Sequence, residues 1–295
     1  MKKKFDLAKI KKVSDFYYKE VPVIKSFKSE NNYVFLLKFK NFEKVIKLCS
    51  PNDSWKVEKE IYLFELLSDN HVPVPKVDYS ETEGLIGESW YIMDNLGDEN
   101  LNDLFKRSEE KSKYLFFELG QLFARIHKIK FDFQGQIYGR DIEKQSFSDS
   151  YRNSFEKSSK LLFSKGKISE KELINAKNIF SNFVDSNQRS LCHDDFGPWQ
   201  AIIKDGKISG IIDWEWARVS NPVYDFSKSE LLIDLWSGNF DEFQRGYESV
   251  TNLPKDYNKI KLPYQIVELM NMMVYFLDNS KNFNLAKNKF LKLIS

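Results

Sequence analysis

The chain has little of what marks several common functional classes. Its two cysteines, Cys49 and Cys192, lie far apart in 295 residues, each inside an apolar segment. A disulfide-stapled scaffold is excluded, and the pair reads as buried thiols in a reducing compartment. The three histidines, His71, His127 and His193, show no short spacing of the kind a zinc site on one helix or turn requires. Charge of one sign is equally scarce: 45 basic residues are interleaved with 43 acidic ones, which leaves a formal charge of +2 and no basic footprint for nucleic acid. No apolar run reaches membrane-spanning length. The opening Met1-Lys2-Lys3-Lys4 is followed by Asp6, Lys9, Lys11 and Lys12, where a signal peptide would need its apolar stretch. These absences predict a cytoplasmic protein that uses neither membrane nor nucleic acid.

Core-forming material, in contrast, is plentiful. Hydrophobic residues make up 42% of the chain and aromatics 15%, with 25 Phe and 14 Tyr. That predicts a globular protein, and the length allows either one large core or two lobes. Tyr33 to Phe39 and Glu43 to Cys49 are apolar runs separated by Lys40-Asn41-Phe42 and read as a hairpin. From Ser54 the period changes: Val57, Ile61, Phe64 and Leu67 fall at helical steps until Ser68-Asp69-Asn70 ends the run. Val72-Pro73-Val74-Pro75 is extended, because proline disfavours helix in the residue before it, and Ser89 to Met93 reads as a strand. Asp94 to Asn102 is a polar connector with Gly97, and beyond it Leu115, Leu119, Leu122, Phe123 and Ile126 form a helical stripe ending at His127. A second hairpin joins Gln200–Ile203 to Lys207–Ile212 across Lys204-Asp205-Gly206, and the remainder from Tyr224 carries helical spacing.

Polar residues crowd both ends of that second hairpin: His193-Asp194-Asp195 and Gln200 before it, Asp213-Trp214-Glu215 after it. A hairpin returns the chain to its starting point, so Asp195, Gln200 and Asp213 can converge, and carboxyl and amide oxygens suit a hard divalent cation such as Mg²⁺. Upstream, Val45-Ile46-Lys47 places a lysine on a strand, and Glu58, Glu60 and Glu65 lie on the helix that follows.

His193-x-Asp195 and Ile212-Asp213-Trp214 resemble the catalytic loop and metal-binding segment of the aminoglycoside phosphotransferase and choline kinase superfamily. The resemblance spans roughly residues 21 to 235. It implies an α+β, two-lobed, protein-kinase-like fold: an N-terminal nucleotide lobe of antiparallel sheet and helix over residues 1–96, and a larger, mainly helical catalytic lobe over 97–295. It also implies transfer of the γ-phosphoryl group of ATP or GTP to a hydroxyl of an aminoglycoside or similar amino alcohol or sugar. In that scheme Asp195 acts on the hydroxyl and Asp213 holds Mg²⁺. Lys47, braced by Glu60, meets the α- and β-phosphates, while backbone groups near Asp94 and Leu96 meet the base. Ser29 and Asn32 fall in the phosphate-covering loop, which here contains no glycine. Asp225 braces the catalytic loop.

Two departures stand out. Gln200 occupies the place of an Asn that ligates metal; it keeps the amide oxygen one methylene further out. Asp194 adds negative charge beside Asp195, which either favours a cationic acceptor or is simply solvated. Asp195-Phe196-Gly197 spells the metal-binding tripeptide of protein kinases but stands before the hairpin rather than after it, so it reads as coincidence. The rival to an enzyme is a catalytically silent nucleotide-binding or interaction protein on the same fold, as a monomer or dimer.

Overall fold

The structure is a computed structural model that describes residues 5–27, 32–139, 141–184, 188–236 and 239–295. It divides into two compact units. The first comprises the chain up to Asn100, Ile137–Ile142 and Gln200–Glu215; the second comprises Leu101–Gln136, Glu143–Trp199 and Trp216–Ser295.

The first unit is built on a five-stranded antiparallel sheet. Its strands are β1 (Val23–Ser26), β2 (Tyr33–Lys38), β3 (Glu43–Cys49), β4 (Val77–Glu81) and β5 (Ser89–Asp94), in the order β1-β2-β3-β5-β4. Side chains alternate between the two faces of a strand. Phe35, Leu37, Ile46, Leu48, Trp90 and Ile92 therefore fall on one face, where they pack with Ile10 and Val13 of helix α1 (Leu7–Tyr18). Asp6 starts that helix by accepting the N–H of Ala8. Lys47 and Tyr91, register partners on β3 and β5, point to the opposite face. Helix α2 (Ser54–Asp69) buries Val57, Glu60, Leu63, Phe64 and Leu67. Lys47 on β3 and Lys59 and Glu60 on α2 thus lie on the buried sides of their elements.

The second hairpin belongs to this first unit, whereas the sequence pattern groups it with the C-terminal lobe. The reason is hydrogen bonding. Ala201–Lys204 pairs with Lys207–Ile211 on one side and, antiparallel, with Glu99–Asn100 on the other, and Ile211 donates its N–H to the carbonyl of Pro73. Asp205 and Gly206 turn the hairpin with φ of 51° and 73°, the left-handed pair a type I′ turn demands.

The second unit is mainly helical. Its helices are Leu101–Arg107, Glu109–Lys128, Phe147–Ser164, Glu170–Phe180, Pro222–Trp236, Phe240–Glu248, Tyr257–Tyr275 and Ser280–Ile294. Leu115, Leu119, Leu122, Phe123 and Ile126 are all buried along Glu109–Lys128, as the stripe predicts. Gly120 lets this helix lie against Phe240–Glu248: a Cβ there would sit 2.0 Å from the carbonyl oxygen of Phe243, and one on Gly246 1.9 Å from that of Phe117. Strand Arg218–Ser220 pairs antiparallel with Ser190–Cys192, which leads into His193-Asp194-Asp195. No helix among the described residues is long and apolar enough to cross a membrane.

Candidate active site

In the first unit, Lys47 is the centre of an ion cluster. Its Nζ donates to Glu60 Oε2 at 2.8 Å and to Asp213 Oδ1 at 3.0 Å, with Glu215 Oε2 at 3.8 Å. Glu60 is in turn saturated: the Tyr91 hydroxyl donates to Oε2 at 3.0 Å and the backbone N–H of Trp214 to Oε1 at 3.1 Å. Glu60 is 0% exposed and the Lys47 side chain 6%, whereas the Asp213 side chain is 45% exposed. The buried pair is therefore fixed, and the third member can rearrange. Burial opposes the ammonium, but Glu60, Tyr91, Asp213 and Glu215 outweigh it and hold the Lys47 pKa well above its ordinary value.

The hairpin positions Asp213. Ile212 donates its N–H to the carbonyl of Gln200 at 3.1 Å, so residue 200 and residue 213 sit at one end of the hairpin. Asp213 has φ of 69°, a left-handed conformation that a non-glycine residue adopts at some cost. Trp214, fully buried, anchors the turn by donating Nε1–H to the carbonyl of Ile211 at 3.1 Å.

The other residues expected in the nucleotide region are less uniform. Asn32 donates Nδ2–H to Glu215 Oε2 at 2.8 Å, and the Cys49 thiol lies 3.6 Å from its Oδ1, so its side chain ties the chain before β2 to β3 and to the segment after the hairpin. Ser29 lies outside the described residues. The Asp94 carboxylate accepts from Lys44 at 2.8 Å and its N–H donates to the carbonyl of Lys76 at 3.0 Å; the carbonyl of Leu96 accepts the Ser209 hydroxyl at 2.6 Å. Sequence motifs alone do not single out Glu215 and Tyr91 for this cluster. Glu215 lies two residues beyond Asp213, and the register pairs Tyr91 with Lys47; only the second is invisible without the sheet.

In the second unit, Asp225 holds the loop that carries Asp195. Its Oδ2 accepts the N–H of His193 at 2.7 Å and its Oδ1 that of Asp194 at 2.9 Å. His127 lies with Nε2 at 3.1 Å from the same carboxylate, and its Nδ1 is 2.8 Å from the Tyr247 hydroxyl. Burial works against the Asp225 carboxylate, but His127 and the His193 N–H keep its pKa below the usual range. His127, Cys192 and Asp225 lie as close together as three metal ligands would, yet both imidazole nitrogens are already engaged. Phe196 packs against Phe123 at 4.9 Å between ring centroids, which gives the misplaced tripeptide a role in the core. Asp195 is half-buried between these anchored neighbours.

Antiparallel sheet with a buried lysine–glutamate pair, and a mainly helical unit with a braced His-x-Asp loop, define the class of the kinase-like phosphotransferases. Three solved structures share that fold. A thermostable aminoglycoside phosphotransferase APH(4)-Ia variant, in a ternary complex with ADP and hygromycin B, matches at TM-score 0.75 with 14% identity, over 97% of each chain. An aminoglycoside 2′-phosphotransferase-IIIa variant in complex with GDP matches at TM-score 0.69 with 12% identity, over 97% of this chain and 96% of that one. A candidate fructosamine-3-kinase from Haemophilus somnus 129PT matches at TM-score 0.64 with 18% identity, over 96% of each chain. No curated protein matches in sequence. The chain itself belongs to the phosphotransferase enzyme family, whose sequence model matches residues 23–261; it is a phosphotransferase with a hydroxyl acceptor.

Proposed function

We propose that this chain transfers the γ-phosphoryl group of ATP or GTP to a hydroxyl of a small molecule. The observation that carries the reading is the buried Lys47–Glu60 pair with the exposed Asp213 carboxylate 3.0 Å from Lys47. The complexes of similar folds with ADP and with GDP support a nucleoside triphosphate as donor, and the hygromycin B complex supports a small hydroxylated acceptor.

Lys47, kept charged by its carboxylates, meets the α- and β-phosphates, and Glu60 keeps its ammonium from wandering. The hard oxygen donors of Asp213 and Gln200, brought to one hairpin end, fit Mg²⁺. When bound, the ion offsets charge on the phosphate oxygens. Backbone groups near Asp94 and Leu96 meet the base. Asp195, on the braced loop, orients the acceptor hydroxyl and takes its proton. The hydroxyl oxygen then forms the new bond to the γ-phosphorus while the bond to the β–γ bridging oxygen breaks, and a nucleoside diphosphate leaves. Most of the acceleration comes from positioning and charge stabilisation.

The test is Mg²⁺-dependent release of ADP or GDP across a panel of aminoglycosides, choline, and sugars with and without amino groups. Acceptor-dependent release that falls by about 10²-fold or more in Asp195→Asn, with nucleotide binding retained, supports the reading. Release that persists in Asp195→Asn removes Asp195 from its role, and nucleotide binding without release for any acceptor favours the catalytically silent alternative.

A further inference from the structure

The expectation of a cationic acceptor draws on the family resemblance and on the charge of Asp194, and that charge is already answered from within the second unit. Lys228, on helix Pro222–Trp236, donates from Nζ to the backbone carbonyl of Asp194 at 2.5 Å. The same ammonium lies 3.6 Å from Asp194 Oδ1 and 3.4 Å from Glu268 Oε2 on helix Tyr257–Tyr275. Between the two carboxylates stands the Tyr224 hydroxyl, 2.5 Å from Asp194 Oδ1 and 3.3 Å from Glu268 Oε1, with one proton for both. Exposure of the side chains is 16% for Lys228, 16% for Asp194 and 8% for Glu268.

An ion triad buried this deeply gains little stability over apolar residues of the same volume, because desolvation consumes most of the attraction. Its position is informative instead. Asp194 immediately precedes Asp195; burial pushes the Lys228 pKa down, but Glu268, Asp194 and then Asp195 outweigh it and hold the pKa above its ordinary value. Two carboxylates, Asp194 and Glu268, converging on one ammonium next to the loop that carries Asp195 make the kind of receptor an acceptor ammonium needs. Here a side chain of the protein has filled it.

Resting on the phosphotransfer reading above, we infer that Lys228 is a specificity-determining residue that stands in for an acceptor ammonium, so that the acceptor is an uncharged polyhydroxy compound of the sugar or polyol class. Lys228 already occupies the Asp194 and Glu268 carboxylates, so a cation arriving beside Asp194 finds them paired, while an acceptor hydroxyl needs no such partner.

Two measurements decide the matter. The first compares turnover of acceptor pairs that differ only in a hydroxyl or an amine at one position. The wild type favours the hydroxyl member by about tenfold or more, Lys228→Arg keeps that preference, and Lys228→Met moves it toward the amine by a similar factor. Equal or faster turnover of the aminated members by the wild type overturns the inference, as does an unmoved preference in Lys228→Met. The second uses thermal unfolding and needs no turnover. Ethylammonium chloride stabilises Lys228→Ala saturably over equal sodium chloride, and leaves wild type and Lys228→Arg unmoved. Indifference of Lys228→Ala to ethylammonium overturns the inference; if that variant does not fold, the volume-conserving Lys228→Met decides by the first measurement. Absence of turnover with every acceptor is the failure of the phosphotransfer reading, and the ethylammonium result still rules on Lys228.

Discussion

Glu60 serves Lys47 and also holds the backbone N–H of Trp214, the residue after Asp213. Glu60→Ala therefore removes more than one charge. It strands a buried ammonium and a buried N–H, and costs about 3 kcal/mol in urea unfolding, with weaker nucleotide binding in titration calorimetry; an unchanged affinity would remove Glu60 from the nucleotide site. Asp225 makes a pH-dependent prediction. Its folded pKa is depressed, so its contribution to stability is fully present above the ordinary Asp value of about 3.9 and is lost as pH falls through the lower folded value. Asp225→Asn is less stable than wild type near neutrality, and the gap closes in acid; a gap that stays constant across the acid range would contradict the assignment. The sequence shows Lys47, Asp195 and Asp213 through short motifs. Helical spacing alone leaves Glu60 among three glutamates, and it is the family resemblance that picks it out; Lys228 is placed nowhere, since a lysine on a C-terminal helix looks like any solvated face until its neighbours are known.

At the scale of elements, the close approach of helices Glu109–Lys128 and Phe240–Glu248 rests on two glycines. Gly120→Ala pushes a methyl into the carbonyl of Phe243 and costs about 1–3 kcal/mol in urea unfolding, more than its helix propensity returns. A neutral or stabilising Gly120→Ala would show that the helices separate freely. The elements legible in sequence are those with strong punctuation: the Asp205-Gly206 turn, the prolines at 73 and 75, and the long apolar stripe ending at His127. Helix α1 escapes sequence reading because Lys9, Lys11 and Lys12 interrupt its narrow buried stripe of Ile10, Val13 and Ser14. Strand β4 escapes it because its short Val-Asp-Tyr-Ser alternation has no buried face to mark it: its residues are half-buried or exposed. Helix Phe147–Ser164 buries Phe147, Tyr151, Phe155 and Leu162 at helical spacing among serines and lysines, and Glu170–Phe180 is opened by a capping box in which Ser169 accepts the N–H of Glu172 and Glu172 that of Ser169.

For the whole molecule, the order strand lysine, helix glutamate, double proline, His-x-Asp loop, hairpin and Ile-Asp-Trp carries the fold class, although each motif alone is weak. Tertiary pairing reassigns the second hairpin, since its strands complete a sheet with Glu99–Asn100 and its far end delivers Asp213 to Lys47. The charge of the acceptor lies beyond sequence reading for the same reason: Asp194 is an extra negative charge along the chain and a compensated one in the folded unit. The measurement that bears most directly on the central claim is phosphorus NMR of the purified protein with Mg²⁺, ATP or GTP, and a panel of uncharged and aminated polyols. A new phosphomonoester resonance is expected to grow as the γ-phosphate signal falls, with uncharged polyols ahead and Asp195→Asn silent. Loss of the γ-phosphate signal to inorganic phosphate alone, or growth of the ester in Asp195→Asn, would contradict it.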